Sequence, residues 1–354
     1  MKYKSVKIGN TVIGGDSHVS IQSMTNIPFT RYEELEAQSI ALQDAGCEIL
    51  RASVPDEQSV LGFKKLKNKL DIPLVADIHF NYKLALAAID AGADKIRINP
   101  GNIGSDNIKS VVRKAVENHV PIRVGINSGS LEKEILNKYG SPTPEALAES
   151  AMKNVKIVEE CGCEDIVVSI KSSNVNLMVK SYILFDQMNE NHYPLHLGVT
   201  EAGTLTSGLI KSSVGIGTLL LSGIGSTIRY SLSADPIEEI YAAHKLLRFL
   251  GLRNNGVEIV SCPTCGRTTV NTIELANKLE VSLRHITKPI KIAVMGCVVN
   301  GIGEAAEADF GVTGADGKYI IFKKINNEVK IIARDISEED IFNRIHKYIE
   351  ENLL

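Results

Sequence analysis

The chain has 354 residues, 44% hydrophobic and 23% charged, with a formal net charge of −3 and six cysteines. That length supports a large core plus a second small domain, and the ordinary composition excludes a disordered, collagenous or coiled-coil chain. The slightly acidic balance, the few cysteines and the lack of any apolar run near ~20 residues argue against a nucleic-acid or membrane binder and a disulfide scaffold, and predict a cytoplasmic protein.

Gly9-Asn10 and Gly14-Gly15 are turn signals, and they predict a β-hairpin over the first 17 residues, placed to close the bottom of a barrel. From Val19 to about Leu250 one unit recurs: a short branched-apolar run, a polar tip, then an amphipathic helix ending near glycine. The expected strands are Val19–Met24, Ile49–Val54, Leu74–His79, Lys95–Asn99, Ile122–Asn127, Ile166–Lys171, Leu195–Glu201 and Thr227–Ser231. Between them lie helices such as Tyr32–Ala45, stopped by Gly46, and Lys83–Ala91, stopped by Gly92. Eight such units fit a (β/α)₈ TIM barrel, an α/β fold, over residues 1–252. A doubly wound open sheet is the competing reading, but the first strand ends in Thr25-Asn26-Ile27-Pro28 and not in a glycine-rich turn. At Arg253-Asn254-Asn255-Gly256 the pattern breaks, and residues 253–354 read as a small α/β domain. Its expected elements are strand Val257–Val260, helix Thr272–Leu283, strand Lys291–Met295, a hairpin of Lys318–Lys324 with Glu328–Ala333, and a charged helix from Glu338.

Residues two apart on a strand share a face. Arg51 with Ser53, Asp77 with His79, Lys95 with Arg97 and Asn99, Arg123 with Asn127, Ser169 with Lys171, and Arg229 with Ser231 all oppose apolar neighbours. In a barrel the apolar set meets the outer helices, so the polar set points inward, toward the carboxyl end where barrel active sites lie. Four arginines and Lys171 then converge with only Asp77 and Glu201 of opposite sign. A buried charge left unpaired costs about 3–5 kcal/mol, so this surplus calls for an anionic ligand, and the planar fork of arginine suits phosphate oxygens. A small diphosphate is the expected occupant. Glu201, in Val199-Thr200-Glu201-Ala202-Gly203, is either a proton donor or acceptor or a counter-ion.

Cys262-Pro-Thr-Cys265 and Cys297 end two expected strands of the small domain. Three such thiols form a metal-site pattern lacking a fourth ligand, and Glu304, in a glycine-flanked loop, can turn back to fill it. Three thiolates with one oxygen suit a [4Fe–4S] cluster with one exchangeable iron, and a structural zinc remains the alternative. Cys47, Cys161 and Cys163, in helix–strand turns of the barrel, read as small buried hydrophobes.

Gln22-Ser23-Met24-Thr25, Ala76-Asp77-Ile78-His79, Ile96-Arg97-Ile98-Asn99-Pro100-Gly101-Asn102, Arg123-Val124-Gly125-Ile126-Asn127, Cys262-Pro-Thr-Cys265-Gly266-Arg267 and Met295-Gly-Cys297-Val-Val-Asn300-Gly form a specific set. Together they closely resemble the 4-hydroxy-3-methylbut-2-en-1-yl diphosphate synthase family of the methylerythritol-phosphate route to isoprenoids, in its short bacterial form, from about Val6 to Glu350. One departure is Ile302, where the family usually has proline. The resemblance implies a [4Fe–4S] cluster on Cys262, Cys265, Cys297 and Glu304. It also implies the substrate 2-C-methyl-D-erythritol 2,4-cyclodiphosphate, held by Arg51, His79, Arg97, Asn99, Arg123, Asn127, Lys171, Arg229 and Ser231 beside Asp77, with Glu201 as acid or base. Reduced flavodoxin or ferredoxin as electron donor, and a head-to-tail homodimer, are implied by the same resemblance. The competing readings are a pterin-type transferase barrel with a structural zinc domain, and a zinc-ribbon-like interaction module on a decayed barrel.

Overall fold

The structure is a computed structural model that describes residues 3–298, 303, 307–326 and 328–353. Two compact units divide the chain, Met1–Arg253 and Asn254–Leu354. The first opens with an antiparallel hairpin, β1 (Val6–Ile8) and β2 (Thr11–Ile13). Eight strands come after it: β3 (Ser20–Met24), β4 (Ile49–Ser53), β5 (Leu74–Asp77), β6 (Lys95–Ile98), β7 (Ile122–Asn127), β8 (Ile166–Lys171), β9 (His196–Leu197) and β10 (Thr227–Ile228). They pair in parallel in the order β8-β7-β6-β5-β4-β3-β10-β9. A bridge between Val168 and Leu195 joins the two ends of that sheet, so the expected TIM barrel forms.

The outer layer is built from α1 (Tyr32–Asp44), α2 (Glu57–Lys67), α3 (Tyr82–Asp90), α4 (Ser105–Glu117), the short α5 (Lys133–Tyr139), α6 (Pro144–Glu160), α7 (Val175–Met188), α8 (Leu205–Leu221) and α9 (Pro236–Phe249). Local chemistry sets their limits. Asp56, Thr143, Asn174 and Asp235 accept backbone N–H groups at the starts of α2, α6, α7 and α9, and Pro144 and Pro236 occupy first-turn positions. Gly46 and Gly92 take φ of 96° and 89° just past α1 and α3, a conformation that ends the helix and turns the chain into the next strand. No helix of the described residues is long and apolar enough to cross a membrane.

The second unit is a five-stranded sheet in the order β11 (Val257–Ser261), β12 (Ile290–Met295), β13 (Phe310–Ala315), β14 (Lys318–Ile325) and β15 (Glu328–Ile336). The first three strands run parallel and the last two pair antiparallel. Helices α10 (Thr272–Ser282) and α11 (Glu338–Leu353) accompany the sheet, and Leu275, Leu279, Ile292, Val312, Ile341 and Ile345 share one buried cluster.

Candidate active site

The two faces of the barrel strands separate cleanly. Leu50, Ala52, Ile96, Ile98, Val124, Val168 and Ile170 join the cluster made with the helices. Ile49, Val75 and Val167, on the other parity, pack against Val6, Ile8 and Ile13 of the hairpin, which stops the barrel from below. Two residues further along the same inward rows come Arg51, Asp77 and Ser169, with Arg97 and Arg123 on the intervening strands and Lys171 at the tip of β8. All six are buried, and Arg123 is only 1% exposed.

Asp77 is the counter-ion at the centre of this group. Its carboxylate accepts from the Arg97 guanidinium at 3.2 Å and lies 3.9 Å from Nε of Arg51. Burial pushes this carboxyl up, and Arg51, Arg97 and Arg123 more than offset that, holding it at about 2. Arg97 also meets Nε2 of the exposed His79 at 3.2 Å, and Arg51 donates to the sulfur of Met24. Nε and one terminal nitrogen of Arg123 have no hydrogen-bond partner among the described residues. Burial and then the neighbouring cations hold both Arg123 and Lys171 well below their ordinary values. The mouth is therefore short of negative charge.

Two glycines make room for these side chains. A Cβ at Gly125 would lie 2.7 Å from Nε of Arg97, and one at Gly198 would lie 2.7 Å from Nζ of Lys171. Around them, Asn99 is buried and accepts from the backbone N–H of Gly101 at 3.2 Å, while Asn127, at the end of β7, and Ser231, three residues beyond β10, are half-buried. Glu201 is exposed, four residues beyond the end of β9, with a left-handed φ of 50° that a non-glycine residue seldom adopts. The strands before Glu201 and Ser231 are shorter than the alternation predicts, because pairing stops near Gly198 and Arg229.

Two features escape a strand-by-strand reading. Glu239, on α9, is the counter-ion of Arg229 at 3.6 Å and accepts from Ser23 and from the Leu232 backbone. The sequence signal was there, in the Asp-Pro-Ile-Glu-Glu opening of a helix directly after the strand. Gln22, Lys95 and His196 are also buried, with side-chain nitrogens that have no partner among the described residues. His196 was visible in principle, as the polar member of Leu195-His196-Leu197.

In the second unit β11 and β12 are parallel neighbours, so the residues just past their ends emerge side by side. Cys262 comes directly after β11 and its sulfur accepts from the Gly296 N–H at 3.2 Å. Cys297 comes two residues after β12, and Cys265 lies in the turn between, where Thr264 takes φ of 64° and the Cys265 N–H donates to Thr268. Cys262 and Cys297 are half-buried, Cys265 is exposed, and all six cysteines are free. Backbone N–H donation to sulfur, partial exposure and a turn that presents successive thiols suit thiolate ligation of iron. Among the described residues no three ligand side chains converge on a single-ion site; cluster ligands, which bind different irons, need not. Glu304 and Ile302 lie outside the described residues.

Residues 3–244 match the family model described as GcpE TIM-barrel domain, and residues 258–351 match that described as GcpE protein C-terminal domain. A 4-hydroxy-3-methylbut-2-en-1-yl diphosphate synthase (flavodoxin) of Caldanaerobacter subterraneus subsp. tengcongensis is 53% identical over 349 residues, 98% of each chain. One from Clostridium perfringens is 52% identical over 348 residues, also 98% of each. Among solved structures, a dihydropteroate synthase from Stenotrophomonas maltophilia aligns with a TM-score of 0.53 over 70% of this chain and 97% of its own, at 12% identity. That likeness is one of barrel fold alone. With both domains matched and half of all residues shared over nearly the full length, the chain belongs to the 4-hydroxy-3-methylbut-2-en-1-yl diphosphate synthase family.

Proposed function

We propose that the barrel mouth binds 2-C-methyl-D-erythritol 2,4-cyclodiphosphate and that Cys262, Cys265, Cys297 and Glu304 hold a [4Fe–4S] cluster for its reductive conversion to 4-hydroxy-3-methylbut-2-enyl diphosphate. The observation that carries this reading is the cation surplus: Arg51, Arg97, Arg123, Arg229 and Lys171 face two carboxylates, Asp77 and Glu239. A dianionic ring diphosphate supplies the missing charge at the carboxyl end of the strands.

Position sets the roles. Asp77 holds Arg97 and Arg51 in a fixed pair, so their donors are organised before the ligand arrives. Arg123 and Lys171, with little protein partnership, take the ligand's charge most directly. His79 and Asn99 frame the mouth with Asn127 and Ser231. Glu201, exposed on its left-handed turn, is free to hold or deliver the proton that the reaction consumes. A cluster bound at the thiol loop supplies single electrons and a Lewis-acidic iron. The balance is two electrons and one proton in, and one water out, as the ring dianion becomes the allylic trianion.

A flavodoxin, named with the relatives, is the expected electron donor, with ferredoxin the chemically equivalent choice. All six cysteines are free, which suits the reducing cytoplasm. Mouth and thiol loop belong to different units, and a head-to-tail homodimer that presents one chain's thiol loop to the partner's barrel completes the site. Anaerobic purification tests the cluster: brown protein with about four irons and acid-labile sulfide is expected, and colourless protein holding a single zinc would overturn the assignment.

A further inference from the structure

Interleaved with the apolar stop at the bottom of the barrel, beneath the cationic mouth, is a second set of inward polar groups with no assigned role. Ser20, Thr227 and His196 are direct ladder neighbours on three adjacent strands, and Gln22 and Lys95 lie on inward rows of β3 and β6. All five are 0–1% exposed. Nζ of Lys95, both ring nitrogens of His196, both amide atoms of Gln22 and the hydroxyls of Ser20 and Thr227 have no hydrogen-bond partner among the described residues. Orphaned groups in such number are retained against a cost of burial that an apolar layer would not carry, and they need water or one another to be satisfied.

We propose that Lys95 and His196 form a proton-accepting floor beneath the diphosphate site: neutral while the mouth is free of ligand, it takes one proton from solvent when the cyclic diphosphate binds above it. This rests on the reading of the mouth as the diphosphate site. The charges explain the coupling. The groups that act on Lys95 are Arg123 and Arg51, both cations. Those that act on His196 are Arg123, Lys171 and Arg51, cations again, and Lys95 whenever it is charged, so the two groups do not hold a proton together. Asp77, the carboxylate of this inner face, is committed to Arg97 and Arg51, Glu239 is committed to Arg229, and the hairpin below contributes Val6, Ile8 and Ile13. Burial, then this surrounding positive charge, keeps both groups far below their ordinary values in the free protein. A ligand bearing two negative charges cancels the repulsion from above, while Gln22, Ser20 and Thr227 supply polar atoms to accept from the new N–H. The ligand contributes no titration of its own, because each phosphorus of a cyclic diphosphate carries one strongly acidic oxygen that is ionised throughout the neutral range.

The test is calorimetric titration of the anaerobic, oxidised holoenzyme with the cyclic diphosphate, without electron donor, in buffers of differing ionisation enthalpy at pH 7. The dependence of the heat on buffer enthalpy counts the protons exchanged, independently of affinity. We expect uptake of about one proton per site in the wild type, and an affinity that weakens as pH rises. Lys95→Met with His196→Asn should reduce that uptake to near zero while binding persists. Binding without proton uptake in the wild type would overturn the inference and leave the diphosphate site standing, and so would uptake that survives the double substitution but disappears in His79→Gln. No binding at all would overturn the site, and this inference with it.

Discussion

Asp77→Asn tests the electrostatic logic of the mouth most sharply, because it removes the negative charge between Arg51 and Arg97 without changing the side chain's shape. Taking away one partner of a buried pair leaves uncompensated charge and costs about 3–5 kcal/mol. For a unit of this size that corresponds to a fall of roughly 6–20 °C in the barrel's melting temperature. The loss should be partly recovered by saturating cyclic diphosphate, and the variant should gain more stability from the ligand than wild type does, because an internal competitor for the arginines is gone. The pH dependence has a definite sign. The Asp77 carboxyl lies at about 2 in the folded chain against an ordinary 3.8, so its ionisation stabilises the fold above 3.8, and that stability is lost as pH falls from 3.8 through about 2. The difference corresponds to about 2 kcal/mol, which wild type should lose across that window and Asp77→Asn should not. Thermal melts of both proteins, with and without ligand and across pH 2 to about 5, give all three numbers. A variant that melts within ~2 °C of wild type, or gains less from the ligand, would refute the role of Asp77 as the mouth's counter-ion.

Arg123→Ala and Lys171→Ala should each weaken binding of the cyclic diphosphate by about 2–4 kcal/mol in calorimetry, with the iron–sulfur absorption unchanged. Gly125→Ala places a methyl 2.7 Å from Nε of Arg97 and should cost tenfold or more in affinity, with a larger effect on binding than on melting temperature. Cys262→Ser should lose iron and colour on anaerobic purification, whereas Glu304→Ala should remain brown and lose most turnover, since a carboxylate is the exchangeable ligand. Cys297→Ser and Arg123→Ala, each inactive, should recover activity when mixed under conditions of proven subunit exchange; no recovery would mean that each chain builds its site alone.

Alternation and glycine stops made the barrel legible, and β7 and β8 begin and end where the pattern places them. Physical reasons account for what stayed hidden. Phe310–Ala315 contains Gly311 and Gly314, which look like loop residues. In the fold they are strand positions where a Cβ would strike the Phe322 ring and the Gly296 carbonyl. At the mouth the inward cations were readable from parity, but the partner of Arg229 was not, because Glu239 reaches it from a helix, where the two-residue rule does not apply. Lys95 and His196 lie one layer below the strand tips, and only three-dimensional closure shows that nothing polar among the described residues comes back to meet them.

One reaction decides the function of the whole chain. Anaerobic protein with its full complement of iron and sulfide, supplied with reduced flavodoxin and 2-C-methyl-D-erythritol 2,4-cyclodiphosphate, should form 4-hydroxy-3-methylbut-2-enyl diphosphate with two electrons consumed per product, and the Arg123→Ala protein should retain the cluster while failing to turn over. Recovery of the cyclic diphosphate intact from the wild-type reaction, with the cluster demonstrably reduced, would contradict it.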